Sequence, residues 1–87
     1  MKNQNYKIEG RTNGWIAQRD IAFKGNCKIT ICEKLDLKAA IAMLENMFYS
    51  DYDDCDNIKD DNRFCYRSDG TASYEYDSRY FSIEKED

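Results

Sequence analysis

Proline and histidine are both missing from these 87 residues, and glycine occurs only four times. With no proline and so little glycine there is no linker, no collagen-like repeat and no Pro-rich recognition segment, so a single domain over 1–87 is expected. With no histidine, the usual nucleophile–base pairs cannot be assembled. Also lacking are G-x-G-x-x-G, a phosphate loop and an S-x-x-K arrangement. No catalytic residues are therefore assigned, and the chain is expected not to be an enzyme. The longest purely apolar run, Ala39 to Leu44, is too short to span a bilayer. The polar stretch Met1–Asn5 has no apolar h-region, so no secretory signal is expected there and a cytoplasmic location is expected.

Four cysteines are present: Cys27, Cys32, Cys55 and Cys65. They form no C-x-x-C pair, and without histidine they do not have the spacing of a zinc site. A disulfide would need an oxidising compartment. Reduced thiols are the simplest expectation, with Cys27 in the core, Cys65 partly buried and Cys55 in a loop.

The net charge of −4 hides a division along the chain. Residues 1–43 carry +4, and residues 44–87 carry −8. A molecule so divided is expected to be dipolar. Direct nucleic-acid binding is disfavoured, because phosphates attract a basic surface. An electropositive protein, such as one that itself handles nucleic acid, is the better partner.

Periodicity predicts an α+β fold in the order βββ-α-βββ, with one amphipathic helix packed on one face of an antiparallel sheet or sheets. Residues 5–33 read as a three-stranded meander. Its first turn is Asn13-Gly14, which supplies positive φ cheaply, and Lys7 then opposes Asp20. Its second turn is Lys24-Gly25-Asn26, which aligns Phe23 with Cys27 and Ile21 with Ile29. The inner face expected from this pairing carries Tyr6, Ile8, Ile21, Phe23, Cys27, Ile29 and Ile31. Leu37, Ala40, Ile41, Leu44, Met47 and Phe48 then recur at helical spacing, so a helix is predicted over 36–50, with Asp36 as its N-cap. Residues 62–84 read as a second meander. In it, Asp69-Gly70 makes a two-residue turn that pairs Cys65 with Tyr74, and the chain returns again through Asp77-Ser78.

Between the helix and that meander lies the densest charge in the chain. Six aspartates fall within residues 51–61: Asp51, Asp53, Asp54, Asp56, Asp60 and Asp61, with Tyr49 and Tyr52 beside them. Crowded carboxylates repel one another, and a helix C-terminus is a poor place to begin such a run. A calcium loop starting at Asp51 would need glycine at its sixth position and glutamate at its twelfth, where this chain has Asp56 and Asn62. No metal and no cofactor are assigned. Cys55 lies between Asp54 and Asp56, which disfavour its thiolate, so it is not read as a nucleophile. The remaining role is contact. Tyr49, Asp51, Tyr52, Asp53, Asp54, Asp56, Asp60 and Asp61 are the candidate partner-binding residues, offering charge to arginines and lysines that otherwise grip phosphate.

In its size, its Asp51–Asp61 cluster flanked by Tyr49 and Tyr52, and its lack of catalytic groups, the chain resembles the small acidic anti-defence proteins of phages and mobile elements, the anti-CRISPR and anti-restriction proteins. The resemblance implies a stoichiometric inhibitor and DNA mimic. Its acidic loop would occupy a basic nucleic-acid-binding surface of a host defence effector, such as a CRISPR effector, in the host cytoplasm. The chain is expected to be a monomer or a homodimer. The alternative function is a small structural or assembly protein that self-associates through strand edges and through aromatic surface at Tyr74, Tyr76 and Phe81.

Overall fold

The computed structural model describes residues 4–87. The readings placed on the first residues, including most of the signal-peptide test, lie outside the described residues. The fold is α+β. Its strands are β1 (Tyr6–Arg11), β2 (Lys28–Leu35), β3 (Phe64–Tyr66), β4 (Ala72–Tyr76) and β5 (Arg79–Lys85). They form one five-stranded antiparallel sheet in the order β2-β1-β5-β4-β3. A short helix α1 (Gly14–Ala17) lies between β1 and β2, and the main helix α2 (Leu37–Asp51) lies between β2 and β3.

The main helix forms where its periodicity placed it. The Asp36 side chain accepts a hydrogen bond from the Ala39 N–H at 2.7 Å, the expected N-cap. Ala40, Leu44 and Phe48 are buried along one stripe. They pack on Tyr6, Ile8, Ile83, Ala72, Tyr74 and Phe64 of the sheet, and Ile58 closes the cluster.

The first meander is corrected. Residues 15–23 form no strand, and β1 pairs directly with β2 on one side and β5 on the other. Asn13 does not turn a hairpin. Its side chain accepts from the Ile16 N–H at 2.9 Å and caps α1. An asparagine before a helix-compatible run serves as N-cap as readily as turn residue, and here the cap prevails. The inner face changes accordingly. Tyr6, Ile8 and Phe23 are buried as expected, whereas Cys27, Ile21 and Ile31 are exposed. Phe23 reaches the core from the excursion at residues 12–27. It packs with Phe81 over Gly10, where an added Cβ would stand 3.3 Å from Phe23 and 3.2 Å from Phe81. Asp20 pairs with Arg79 instead of Lys7.

The β3–β4 hairpin is shifted by one residue from the expected register, so Phe64 opposes Tyr74 and Cys65 opposes Ser73. The loop has three residues, Ser68–Gly70, closed by the Arg67 N–H to Thr71 carbonyl bond at 2.8 Å. Gly70 takes φ +89°, the left-handed residue that ends such a loop. A slip of one residue exchanges the faces of a strand. It buries Phe64 and Tyr74 and leaves Cys65 exposed rather than partly buried. The last turn is the expected Asp77-Ser78, with φ of 51° and 64°.

Candidate functional site

The acidic segment begins inside α2. Asp51 is the last helical residue, and its carboxylate accepts from the Tyr74 hydroxyl at 2.7 Å. That bond offsets the unfavourable carboxylate at a helix C-terminus. Burial, and then Asp51, push the Tyr74 hydroxyl well above its ordinary pKa. Tyr52 follows as the C-cap. Its ring centroid is 4.8 Å from Phe48 and 5.1 Å from Tyr76, and its hydroxyl donates to the Glu75 carbonyl at 2.6 Å. Tyr49 accepts the Ile58 N–H at 3.2 Å. These two tyrosines thus have roles inside the fold, which brace the segment from behind.

Arg63 organises the far side. Its guanidinium donates to Asp61 at 2.7 Å and 2.9 Å, and to Asp54 at 3.2 Å. It also lies 4.3 Å over the Tyr52 ring. Arg63 hydrogen bonds hold the Asp61 carboxyl far below the ordinary carboxylate range. Burial, then Asp61, push the Cys55 thiol up, so this cysteine is a poor thiolate. Asn57 caps a single 3-10 turn at Ile58–Asp60, which sends Ile58 into the core.

The eight residues therefore divide. Asp51, Tyr49, Tyr52 and Asp61 are engaged internally. Asp54 is paired with Arg63 yet remains 70% exposed, against 12% for Asp61. Asp53, Asp56 and Asp60 are exposed, and among the described residues none forms an ion pair. Asp60 accepts only from the Asn57 side-chain amide, at 3.2 Å. Around them lies an open depression of about 550 Å³, lined by Asp54, Cys55, Asp56, Asp60, Asp61 and Arg63 among others. Among the described residues, no three His, Cys, Asp or Glu side chains converge into a set that could hold a metal ion. The four cysteines are free thiols. Among the described residues, no helix is long and apolar enough to cross a membrane.

Sequence reasoning missed Arg63 as the clamp and Tyr74 as the partner of Asp51. The Asp61-x-Arg63 spacing was the available signal for the first. For the second there was none, because 23 residues separate the pair. The opposite sheet face carries a second charged cluster, in which the alternation of β1 already places Lys7 and Glu9 on one side. Glu9 is only 3% exposed, and Lys7, Arg11 and Lys28 surround it at 3.3, 3.3 and 3.4 Å. Burial pushes the Glu9 carboxyl up, but hydrogen bonds and charge from Lys7 and Lys28 outweigh it, and the net position is below the ordinary value.

Comparison with known proteins returned no match: no family model, curated protein or solved structure aligns with the chain.

These shifts set a pH profile for stability. Glu9, Asp20, Asp61 and Asp69 are all held below their ordinary values of 4.5 or 3.8. Below those values the unfolded chain takes up protons that the folded chain still refuses. The stabilisation is complete above about pH 5 and is lost as pH falls through the ordinary range and beyond it. Burial raises Tyr52, Tyr66 and Tyr74 above 10.0. Above that value the unfolded tyrosines ionise first, and stability falls again. Melting followed by circular dichroism should give a plateau between about pH 5.5 and 9 with losses on both sides. A Tm that rises on acidification from about pH 5 to 3 would contradict these assignments.

Proposed function

We propose that this chain is a non-enzymatic inhibitor that presents Asp53, Asp54, Asp56 and Asp60 to a basic nucleic-acid-binding surface of another protein, in the manner of the anti-CRISPR and anti-restriction proteins it resembles. The supporting observation is the coexistence of free and fixed groups. Asp53, Asp56 and Asp60 lack cationic partners among the described residues, while the loop that carries them is fixed by Arg63 bonds to Asp54 and Asp61, by burial of Ile58, and by the Cys55 N–H to Tyr52 and Asp60 N–H to Asn57 carbonyl bonds. Carboxylates ordered in advance lose little freedom on meeting arginines and lysines. The carboxylates in this contact set are fewer than the six expected from sequence, because Asp51 and Asp61 are occupied at home, as is the Tyr52 hydroxyl, whereas Tyr49 keeps an exposed ring beside them. The partner is a cationic, nucleic-acid-handling protein of the host cytoplasm, such as a CRISPR effector, and the chain competes with its nucleic acid.

Assembly through strand edges has weaker support. The outer strand β2 pairs with β1 through two register breaks and exposes Lys28, Glu33 and Lys34, and β3 has only three residues. Bulges, charges and short edge strands are the features that keep edges from pairing.

The test is capture of the binding partner from the host, followed by competition against its nucleic acid. The expected partner is a nucleic-acid-binding protein that releases nucleic acid stoichiometrically as the chain is added. A D53N/D56N/D60N chain should keep its Tm and lose the competition. Undiminished competition by that variant would remove the acidic loop from the mechanism.

A further inference from the structure

The largest exposed apolar groups lie far from the carboxylates in sequence. Trp15 is 67% exposed and Ile21 88%. Both sit on the excursion between β1 and β2, which is firmly held. Asn13 caps α1, the Gly25 N–H donates to the Ala17 carbonyl at 2.9 Å, Phe23 is buried, and Asp20 pairs with Arg79. An ordered segment that buries Phe23 and Ala17 while holding a tryptophan and an isoleucine in water has the character of a contact surface. Its charge is positive. Arg19 lies 4.3 Å over the Trp15 ring, and among the described residues neither Arg19 nor Lys24 forms an ion pair.

The fold puts this excursion and the acidic loop at one end of the sheet. Arg11 ends β1, Tyr80 opposes it near the start of β5, and Tyr76 at the end of β4 opposes Arg79. The excursion leaves from Arg11, and its Thr12 hydroxyl donates to the Ser78 carbonyl at 3.2 Å. Helix α2 delivers Tyr52 to the Glu75 carbonyl at the same end, 2.6 Å away, and the acidic loop starts there. Strands β5 and β4 lie between the two segments' attachments, and among the described residues no ion pair joins them.

We propose that the Trp15–Ile21 surface, with Arg19 and Lys24, docks on the Asp53–Asp60 loop of a second copy of this chain. A two-fold axis across this end sets each excursion against the other copy's acidic loop, so the contact is made twice and closes on itself. Opposite charge gives register, and the tryptophan and isoleucine give buried apolar area. The inference rests on the Trp15–Ile21 surface and not on the inhibitor reading. If both hold, the same carboxylates serve two cationic surfaces in turn, and partner binding competes with self-association.

The experiment is sedimentation of the full chain with no partner present, read alongside the emission of Trp15, its only tryptophan. A dimer is expected at low salt, with Trp15 emission shifted to the blue and association weakened roughly 10-fold or more between about 50 and 500 mM salt. Trp15→Ala with Ile21→Ser should leave a monomer. The pair Arg19→Glu/Lys24→Glu should be monomeric alone, as should Asp53→Lys/Asp56→Lys. Mixed one to one, these two charge-reversed chains should dimerise again, because both contacts of the mixed dimer then match. A wild-type chain that stays monomeric at about 200 μM in low salt overturns the proposal, since that lies well above micromolar affinity. So does a dimer that survives the Trp15 and Ile21 substitutions, or a charge-reversed mixture that stays monomeric. None of these outcomes bears on whether a foreign partner binds the carboxylates.

Discussion

Replacing Phe48 with alanine is expected to destabilise the fold by about 3–5 kcal/mol. The whole stability of a domain this size is about 4–13 kcal/mol, so the variant should be largely unfolded at modest temperature. Phe48 is fully buried, and its ring meets Phe64 and Tyr74 edge-on at 5.3 Å each and Tyr52 at 4.8 Å. Phe48 joins helix α2 to the sheet in the buried cluster, so a cavity here removes contacts to both layers and the favourable edge-to-face geometry with them. The loop should suffer too, since Tyr52 rests on Phe48 and Arg63 lies over Tyr52. Urea unfolding measures the effect. A loss below about 1 kcal/mol would show that the aromatic cluster does not anchor the domain.

Reversing Asp53, Asp56 and Asp60 to lysine should have an opposite division of effects. Stability should change by no more than about 0.5 kcal/mol, because these side chains are exposed and, among the described residues, their one side-chain hydrogen bond is the exposed Asn57 amide to Asp60. Affinity for the captured nucleic-acid-binding partner should fall by roughly 100-fold or more, because attraction becomes like-charge contact. Most of the loss should appear first in the association rate, and added salt should weaken the wild-type complex while leaving the variant indifferent or slightly improved. Surface plasmon resonance across a salt series separates these outcomes. Equal affinities for both chains at low salt would exclude the loop as the contact. Asp61 is deliberately left in place. Its bond to Arg63 shapes the loop, so a change there would mix folding with binding.

Much of the fold was legible because some patterns have one physical solution. The stripe from Leu37 to Phe48 behind Asp36 can bury its apolar side only as a helix, and it became α2. Asp77-Ser78 between two alternating runs became a tight turn. Other patterns have two solutions of nearly equal local energy. Asn13-Gly14 starts either a hairpin or a helix. The choice was made by distant parts of the chain, since β2 and β5 occupy both flanks of β1 and leave none for a strand over residues 15–23. Asp69-Gly70 closes either a two-residue or a three-residue loop. Burial of Phe64 and Tyr74 against Phe48 selects the latter.

The candidate site divides along the same line. The density of aspartate and the absence of histidine are properties of composition, and they stand whatever the fold. Which aspartates remain free is a matter of reach. Arg63 neutralises Asp61 through a local turn and Asp54 across a loop, and Tyr74 satisfies Asp51 from a strand beyond it. By itself the sequence determined one long helix, an acidic segment and an uneven distribution of charge, because each depends on neighbours within a few residues. Only the tertiary structure decided the strand order, the exposure of Trp15 and Ile21, and the reduction of six aspartates to the few that face solvent unpaired. Those outcomes turn on contacts between residues far apart along the chain, whose energies no local pattern contains.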